Sequence, residues 1–333
     1  MTKRLLTPCL LSLSLLAGAP ESLVAQTGPS KPTQNKTAQN KTAQSAATKQ
    51  APKPRPQESD VILFAVSKNG AESMFDPIAV ITGRRVSKPP TGEEDAGVLA
   101  KFAGRYYRSG QKYSVLFGGG KSGSATVKEW LGKENECNRS MAGVELTTPA
   151  RIDGKVMGLA TNSASLGRKA SSRRQPTAEE RESVLKIAQR IYRQRGVPAA
   201  LFPNMRTINL TAVDLDEDGK WEMIGSYLIK KKGSKVAHLL FLIAEIKAAA
   251  YTASLARYDR INEADLPAGA SLDDLEDYVL AEILVDHLDI DRDGRSEVIA
   301  MDRSFEGVTY RIYKKQRSLW QKSYELYSYK CAY

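Results

Sequence analysis

Two short segments of this chain place carboxylates at a spacing that can chelate a metal ion. One reads Asp214-Leu-Asp216-Glu-Asp218-Gly219-Lys220-Trp-Glu222, the other Asp289-Ile-Asp291-Arg-Asp293-Gly294-Arg295-Ser-Glu297, 75 positions later. Side chains at positions 1, 3 and 5 of a tight loop converge on one centre. The glycine at 6 permits the sharp turn, and residue 7 can offer its carbonyl. A hard cation wanting six to eight oxygens is the natural occupant, because three carboxylates a few ångströms apart otherwise repel one another. Asp and Gly are ordinary turn residues, so a single copy is weak testimony; two copies with Glu at the same offset point to metal.

Other chemistries find little support. Two histidines and three cysteines in 333 residues leave no room for a four-ligand zinc site or a multi-histidine centre, so any metal is expected to be held by oxygen. His238 is expected to begin a strand and His287 to lie within one, both as structural residues, and no Gly-x-Ser-x-Gly elbow accompanies them. Gly118-Gly-Gly-Lys121 lacks the leading glycine of a phosphate loop, Val115 standing in its place, and reads as a hairpin turn. Both acidic loops carry enough oxygens to close a calcium shell, which leaves no evident open position for metal-assisted hydrolysis. No catalytic residue is assigned.

The elements around the loops are strand-like. Thr207–Val213 leads into the first loop and Tyr278–Val285 approaches the second. Trp221–Ile229, Val236–Ile246 and about 249–258 follow the first, and Ser296–Met301, Val308–Tyr313 and Leu319–Tyr327 follow the second. Glu at position 9 rather than 12, between strands, departs from the EF-hand. Each unit therefore reads strand, acidic loop, strand, turn, strand, turn, strand. At this point the chain resembles the FG-GAP or VCBS repeat proteins, over about residues 206–329. The resemblance implies a calcium-binding hairpin in each of two four-stranded blades. It also implies two calcium ions, held by Asp214, Asp216, Asp218, Glu222 and the Lys220 carbonyl, and by Asp289, Asp291, Asp293, Glu297 and the Arg295 carbonyl. Two loops are fewer than the family's usual seven blades, so the units are expected to pack as a sandwich or against strands of the preceding domain.

Upstream, Thr177-Ala-Glu-Glu180 has capping-box spacing. Val184, Leu185, Ile187, Ala188, Ile191 and Tyr192 then form an apolar stripe that Gly196 and Pro198 end, which predicts one helix lying on a sheet. Residues 167–176 are basic and lack large apolar side chains, and are expected to form an exposed linker. From 60 to 166 the short apolar runs 61–66, 77–81, 112–117, 125–130, 143–146 and 155–159 predict a β-rich domain. The fold class is thus mainly β: an N-terminal β domain, then residues 177–333 as a helix with a pair of blade-like four-stranded antiparallel units.

The chain begins Met-Thr-Lys-Arg and continues with an apolar run from Leu5 to Ala19 and small residues before Gln26. This reads as a signal peptide over 1–25, giving a secreted or periplasmic protein with no transmembrane segment in the mature chain. Residues 26–59, rich in Pro, Lys and Gln, read as a disordered linker. Of the formal charge of +11, residues 1–59 carry +6, 60–175 carry +7 and 176–333 carry −2; no nucleic-acid motif accompanies the excess, and none is expected as partner. Cys137 and Cys331 are equally consistent with a disulfide and with two thiols. The C-terminal aromatics, Trp320 and Tyr324 among them, are core residues or a stacking platform. The expected function is a calcium-stabilised binding or adhesion-type module for an envelope polymer or extracellular protein, the alternatives being a secreted hydrolase with an unpatterned site or a structural envelope protein.

Overall fold

Apolar runs of strand length, punctuated by glycine turns, give a mainly β protein; the computed structural model describes residues 60–133, 136–168, 170–273 and 279–331. The expected signal peptide and the 26–59 linker lie outside the described residues. Strands β1 (Val61–Asn69), β2 (Glu72–Thr82), β4 (Lys112–Phe117), β5 (Gly120–Trp130), β6 (Ala142–Thr147) and β7 (Gly158–Thr161) pair in the ring order β1-β7-β4-β5-β6-β2. Pairing of β1 with β2 closes that ring into a six-stranded barrel, and the short β3 (Arg85–Ser87) extends it from β2. The two faces of β1 serve different cores. Ile62, Phe64 and Val66 join the barrel interior, while Leu63 and Ala65 face the C-terminal half.

Helix α1 (Ala96–Tyr106) went unanticipated from sequence. Its buried stripe of Leu99, Phe102, Ala103 and Tyr106 has helical spacing, and the last three join the barrel core, but Gly97, Gly104 and the aromatic residues give it weak intrinsic propensity. Packing, not propensity, stabilises it. The β4–β5 turn is the expected glycine hairpin, with Gly118 and Gly119 both at positive φ.

Helix α2 (Ala178–Gln194) forms where expected, with the Thr177–Glu180 capping box in place. Glu180 also takes a bidentate contact from Arg174 at 2.7 and 2.8 Å, and Arg174 stacks on Trp221, so the cap is anchored to the start of the first unit. The first unit is a sheet in the order β12 (Ala250–Asn262), β11 (Val236–Lys247), β10 (Glu222–Lys230), β9 (Met205–Val213), with the two-residue β8 (Arg173–Arg174) as a fifth strand on β9. The second runs β13 (Ile283–Leu288), β14 (Glu297–Arg303), β15 (Gly307–Gln316), β16 (Leu319–Tyr329). The two sheets pack face to face through Ile224, Phe241, Ile243, Val298, Tyr313 and Trp320. Helix α2 covers the other face of the first sheet. The second sheet shares with the barrel a core that includes Leu63, Ile78, Leu159, Val285, Ile299 and Tyr310.

The 167–176 segment is not exposed throughout. Arg173 retains 4% side-chain exposure and lies 3.6 Å from Asp286, which retains none. The Arg173 side chain is buried here through hydrogen bonds and charge rather than hydrophobic contact. The C-terminus is fastened to the barrel in two ways. Cys137 and Cys331 form a disulfide, and buried Lys330 donates to Asp76 Oδ1 at 2.8 Å while Tyr310 donates to Asp76 Oδ2 at 2.9 Å. Among the described residues no helix is long and apolar enough to cross a membrane.

Candidate metal centres

The acidic segments form hairpin loops between β9 and β10 and between β13 and β14, and their backbones repeat one another. Glu217 and Arg292 have φ of 59° and 60°, and Gly219 and Gly294 follow at 78° and 89°. The N–H of each glycine donates to the first aspartate of its loop, at 3.1 Å to Asp214 and 3.0 Å to Asp289. The next N–H, of Lys220 or Arg295, donates to the fifth-position aspartate, Asp218 at 2.7 Å or Asp293 at 3.0 Å. Glu222 and Glu297, at the first residue of the outgoing strands, accept from Leu215 N at 3.0 Å and Ile290 N at 2.8 Å, bracing each loop across its base.

Two acidic clusters result that could hold metal ions. In one, single oxygens of Asp214, Asp216 and Asp218 lie within 4.8 Å of each other; in the other, those of Asp289, Asp291 and Glu297 do. Glu222 of the first loop and Asp293 of the second stand outside these converging sets. Asp214 Oδ1, Asp216 Oδ1 and Asp291 Oδ1 are buried without a hydrogen-bond partner. An anionic oxygen removed from water and unpaired is costly, and a cation is the partner that chemistry would supply. The donor sets therefore fit an oxygen-ligated ion. Burial pushes the carboxyls of Glu222 and Glu297 up from the ordinary range to about 7, against the pull of the Leu215 and Ile290 N–H groups.

The loops are tied to each other and to the barrel. Ser296 N donates to Leu215 O at 2.8 Å, bridging the second loop to the first. Arg168 donates to the carbonyls of Asp214 and Leu215 at 3.0 and 3.1 Å and pairs with Glu217 at 2.7 Å; Ser172 Oγ donates to Asp214 O at 3.0 Å. Sequence reasoning missed these contacts because Arg168 and Ser172 sit in the stretch read as a linker, where only their polarity was visible.

It also missed two charged residues beside the loops. The pairings Met223↔Ala244 and Val298↔Tyr313 place Glu245 and Lys314 at equivalent positions, one residue beyond the partner of the residue that follows each loop glutamate. Glu245 is buried, accepts from Trp320 Nε1 at 2.7 Å and pairs with Lys315 at 2.8 Å, and it shares a small cavity with Asp216 and Glu222. Lys314 pairs with Asp291, with Asp293 at 2.9 Å and with Glu297 at 3.3 Å. The two hairpins differ in length, so the equivalence does not show as a fixed offset in the sequence.

Ser172, His287 and Asp286 bring together the residue types of a nucleophilic triad without its geometry. Ser172 Oγ lies 3.3 Å from His287 Nε2, but His287 Nδ1 has no partner, and both Asp286 oxygens accept from Gly118 N. His287 and Asp286 are fully buried, and burial next to Arg168 and Arg173 lowers the imidazole pKa to about 3, so His287 stays neutral. Trp320 is buried and Tyr324 donates from its hydroxyl to Ile78 O at 2.7 Å, so neither belongs to an exposed stacking platform. Comparison of the chain with protein-family models, with curated proteins and with solved structures returned no match.

Proposed function

We propose that this chain is an exported, calcium-stabilised binding protein whose C-terminal half is a pair of FG-GAP/VCBS-type units. The observation that carries the reading is the repeated loop, with its converging carboxylates and the unpartnered buried oxygens of Asp214, Asp216 and Asp291. Calcium suits a donor set of several carboxylates with backbone carbonyls at flexible distances, and the carbonyls of Lys220 and Arg295 would complete it. The ion has a structural role in this reading: it fixes two hairpins that pack on one another and on the barrel. The Cys137–Cys331 disulfide suits the oxidising compartment that an exported chain reaches. The partner is an envelope polymer or an extracellular protein.

Thermal melting in calcium, magnesium and EDTA tests the metal. For a Kd of about 10⁻⁴ to 10⁻³ M, about 10 mM calcium contributes about 1.4–2.7 kcal/mol per filled site, a rise of about 3–10 °C. Magnesium, which demands near-ideal octahedral geometry, should give less. Identical melting in calcium and EDTA would remove the assignment. Pull-down from an envelope extract with and without EDTA tests the binding role, and reproducible hydrolysis of an extract component would favour a hydrolase.

A further inference from the structure

The two acidic loops share a backbone and a carboxylate pattern but differ in what faces them. Each outgoing strand runs beside a neighbour that carries one charged residue at the same register position. In the first unit it is Glu245, whose carboxylate is engaged by Lys315 at 2.8 Å and by Trp320 Nε1 at 2.7 Å. In the second it is Lys314, and its ammonium reaches Asp291, Asp293 and Glu297. The consequence appears in the loops themselves. In loop 1 Asp218 joins Asp214 and Asp216 in the converging set, whereas in loop 2 Asp293 is drawn to Lys314 and Glu297 takes its place. Loop 1 keeps two buried carboxylate oxygens without partners, Asp214 Oδ1 and Asp216 Oδ1. Loop 2 keeps one, Asp291 Oδ1, because the backbone N–H of Asp293 donates to Asp289 Oδ1 at 3.0 Å; Lys314 separately takes up Asp291 Oδ2. The lysines of the first unit stand differently. Exposed Lys220 pairs with a single member of the converging set, Asp218, at 2.6 Å, and Lys315 is held by Glu245 at 2.8 Å.

We infer that Lys314 is the built-in counter-ion of the second loop, so that the two metal sites are unequal: loop 1 takes the divalent ion, and loop 2 is neutralised from within by the lysine. A divalent ion entering loop 2 must displace an ammonium from three carboxylates or share them with a like charge at close range, and either lowers affinity. Loop 1 carries a weaker competitor: Lys220, well exposed, meets one carboxylate alone, Asp218, and can swing into water, while Lys315 is engaged by Glu245. The inference rests on the reading of the loops as metal sites and assigns a specific role to this chain's own lysine.

Calorimetric titration and equilibrium dialysis with calcium alone, on the full mature chain, test it. The wild type should bind one ion per chain. That ion should be lost in Asp216→Asn and kept in Asp291→Asn, with any second ion at least about tenfold weaker. Lys314→Met, which keeps the aliphatic stem and removes the charge, should raise the count to two, and adding Asp291→Asn should return it to one. Lys314→Arg should keep it at one. Near-UV circular dichroism checks that each variant is folded, and the wild-type comparison of Asp216→Asn with Asp291→Asn decides the matter even where a Lys314 variant does not fold. Two wild-type ions of affinity within about threefold, each lost with its own aspartate, would overturn the role of Lys314 and leave the metal sites standing. An unchanged count in a folded Lys314→Met would overturn it as well. Absence of binding in every variant would overturn the metal reading itself.

Discussion

Replacing Glu222 by Gln isolates the cost of a buried carboxylate in the first loop. Glu222 is 8% exposed, and burial raises its pKa from 4.5 to about 7, with Asp216 and Glu245 adding repulsion and the Leu215 N–H opposing them. Between those two values the metal-free folded protein holds a proton that the unfolded chain has lost. This contribution is complete below about pH 4.5 and disappears as the pH rises through about 7. The difference of about 2.5 pKa values corresponds to about 3 kcal/mol, of which about 2 kcal/mol falls between about pH 5 and pH 7.5. Glutamine keeps an acceptor for Leu215 N and does not titrate. In EDTA the wild type should therefore lose about 2 kcal/mol more stability than Glu222→Gln over that interval, about 4–8 °C in melting temperature. His287, whose pKa is lowered by burial to about 3, works the other way as it charges in the unfolded chain below about pH 6.5, but it is common to both proteins and cancels in the comparison. In about 10 mM calcium the wild-type trend should flatten, because a cation on Asp214, Asp216 and Asp218 favours the ionised form of the neighbouring Glu222 and protons compete with it. Parallel stability curves for wild type and Glu222→Gln in EDTA would refute the burial argument.

Lys330→Met should leave Asp76 buried with only Tyr310 as side-chain partner, at a cost of about 3–5 kcal/mol by denaturant unfolding, and Asp76→Asn in the same chain should restore part of the loss. Gly119→Ala should destabilise by about 2–3 kcal/mol: φ is +67°, and a Cβ there would stand 2.9 Å from His287 Cε1, so the barrel turn could no longer sit on β13.

Much of the geometry of the two acidic clusters was legible because it is local. Each loop closes within nine residues, and the glycine, the alternating carboxylates and the returning glutamate act on one another through the backbone that joins them. The same holds for α2, whose capping box spans four residues, and for the strand runs. The short fifth strand β8 and the burial of Arg173 were not legible, since a polar segment declares no partner until the elements around it are placed.

The sequence by itself determined the mainly β class, the order of the strands in the C-terminal half and the two acidic loops, because periodicity and turn chemistry act between near neighbours. Tertiary structure alone decided the rest. It closed six strands into a barrel, joined Cys137 to Cys331 across 194 residues, and drew Gly118 to Asp286, 168 residues away. It also set Glu245 beside one loop and Lys314 beside the other, a difference fixed by strand register across hairpins of unequal length. Such choices depend on which distant groups share a desolvated space, where an unpaired charge is too costly to keep, and that is settled only when the sheets pack.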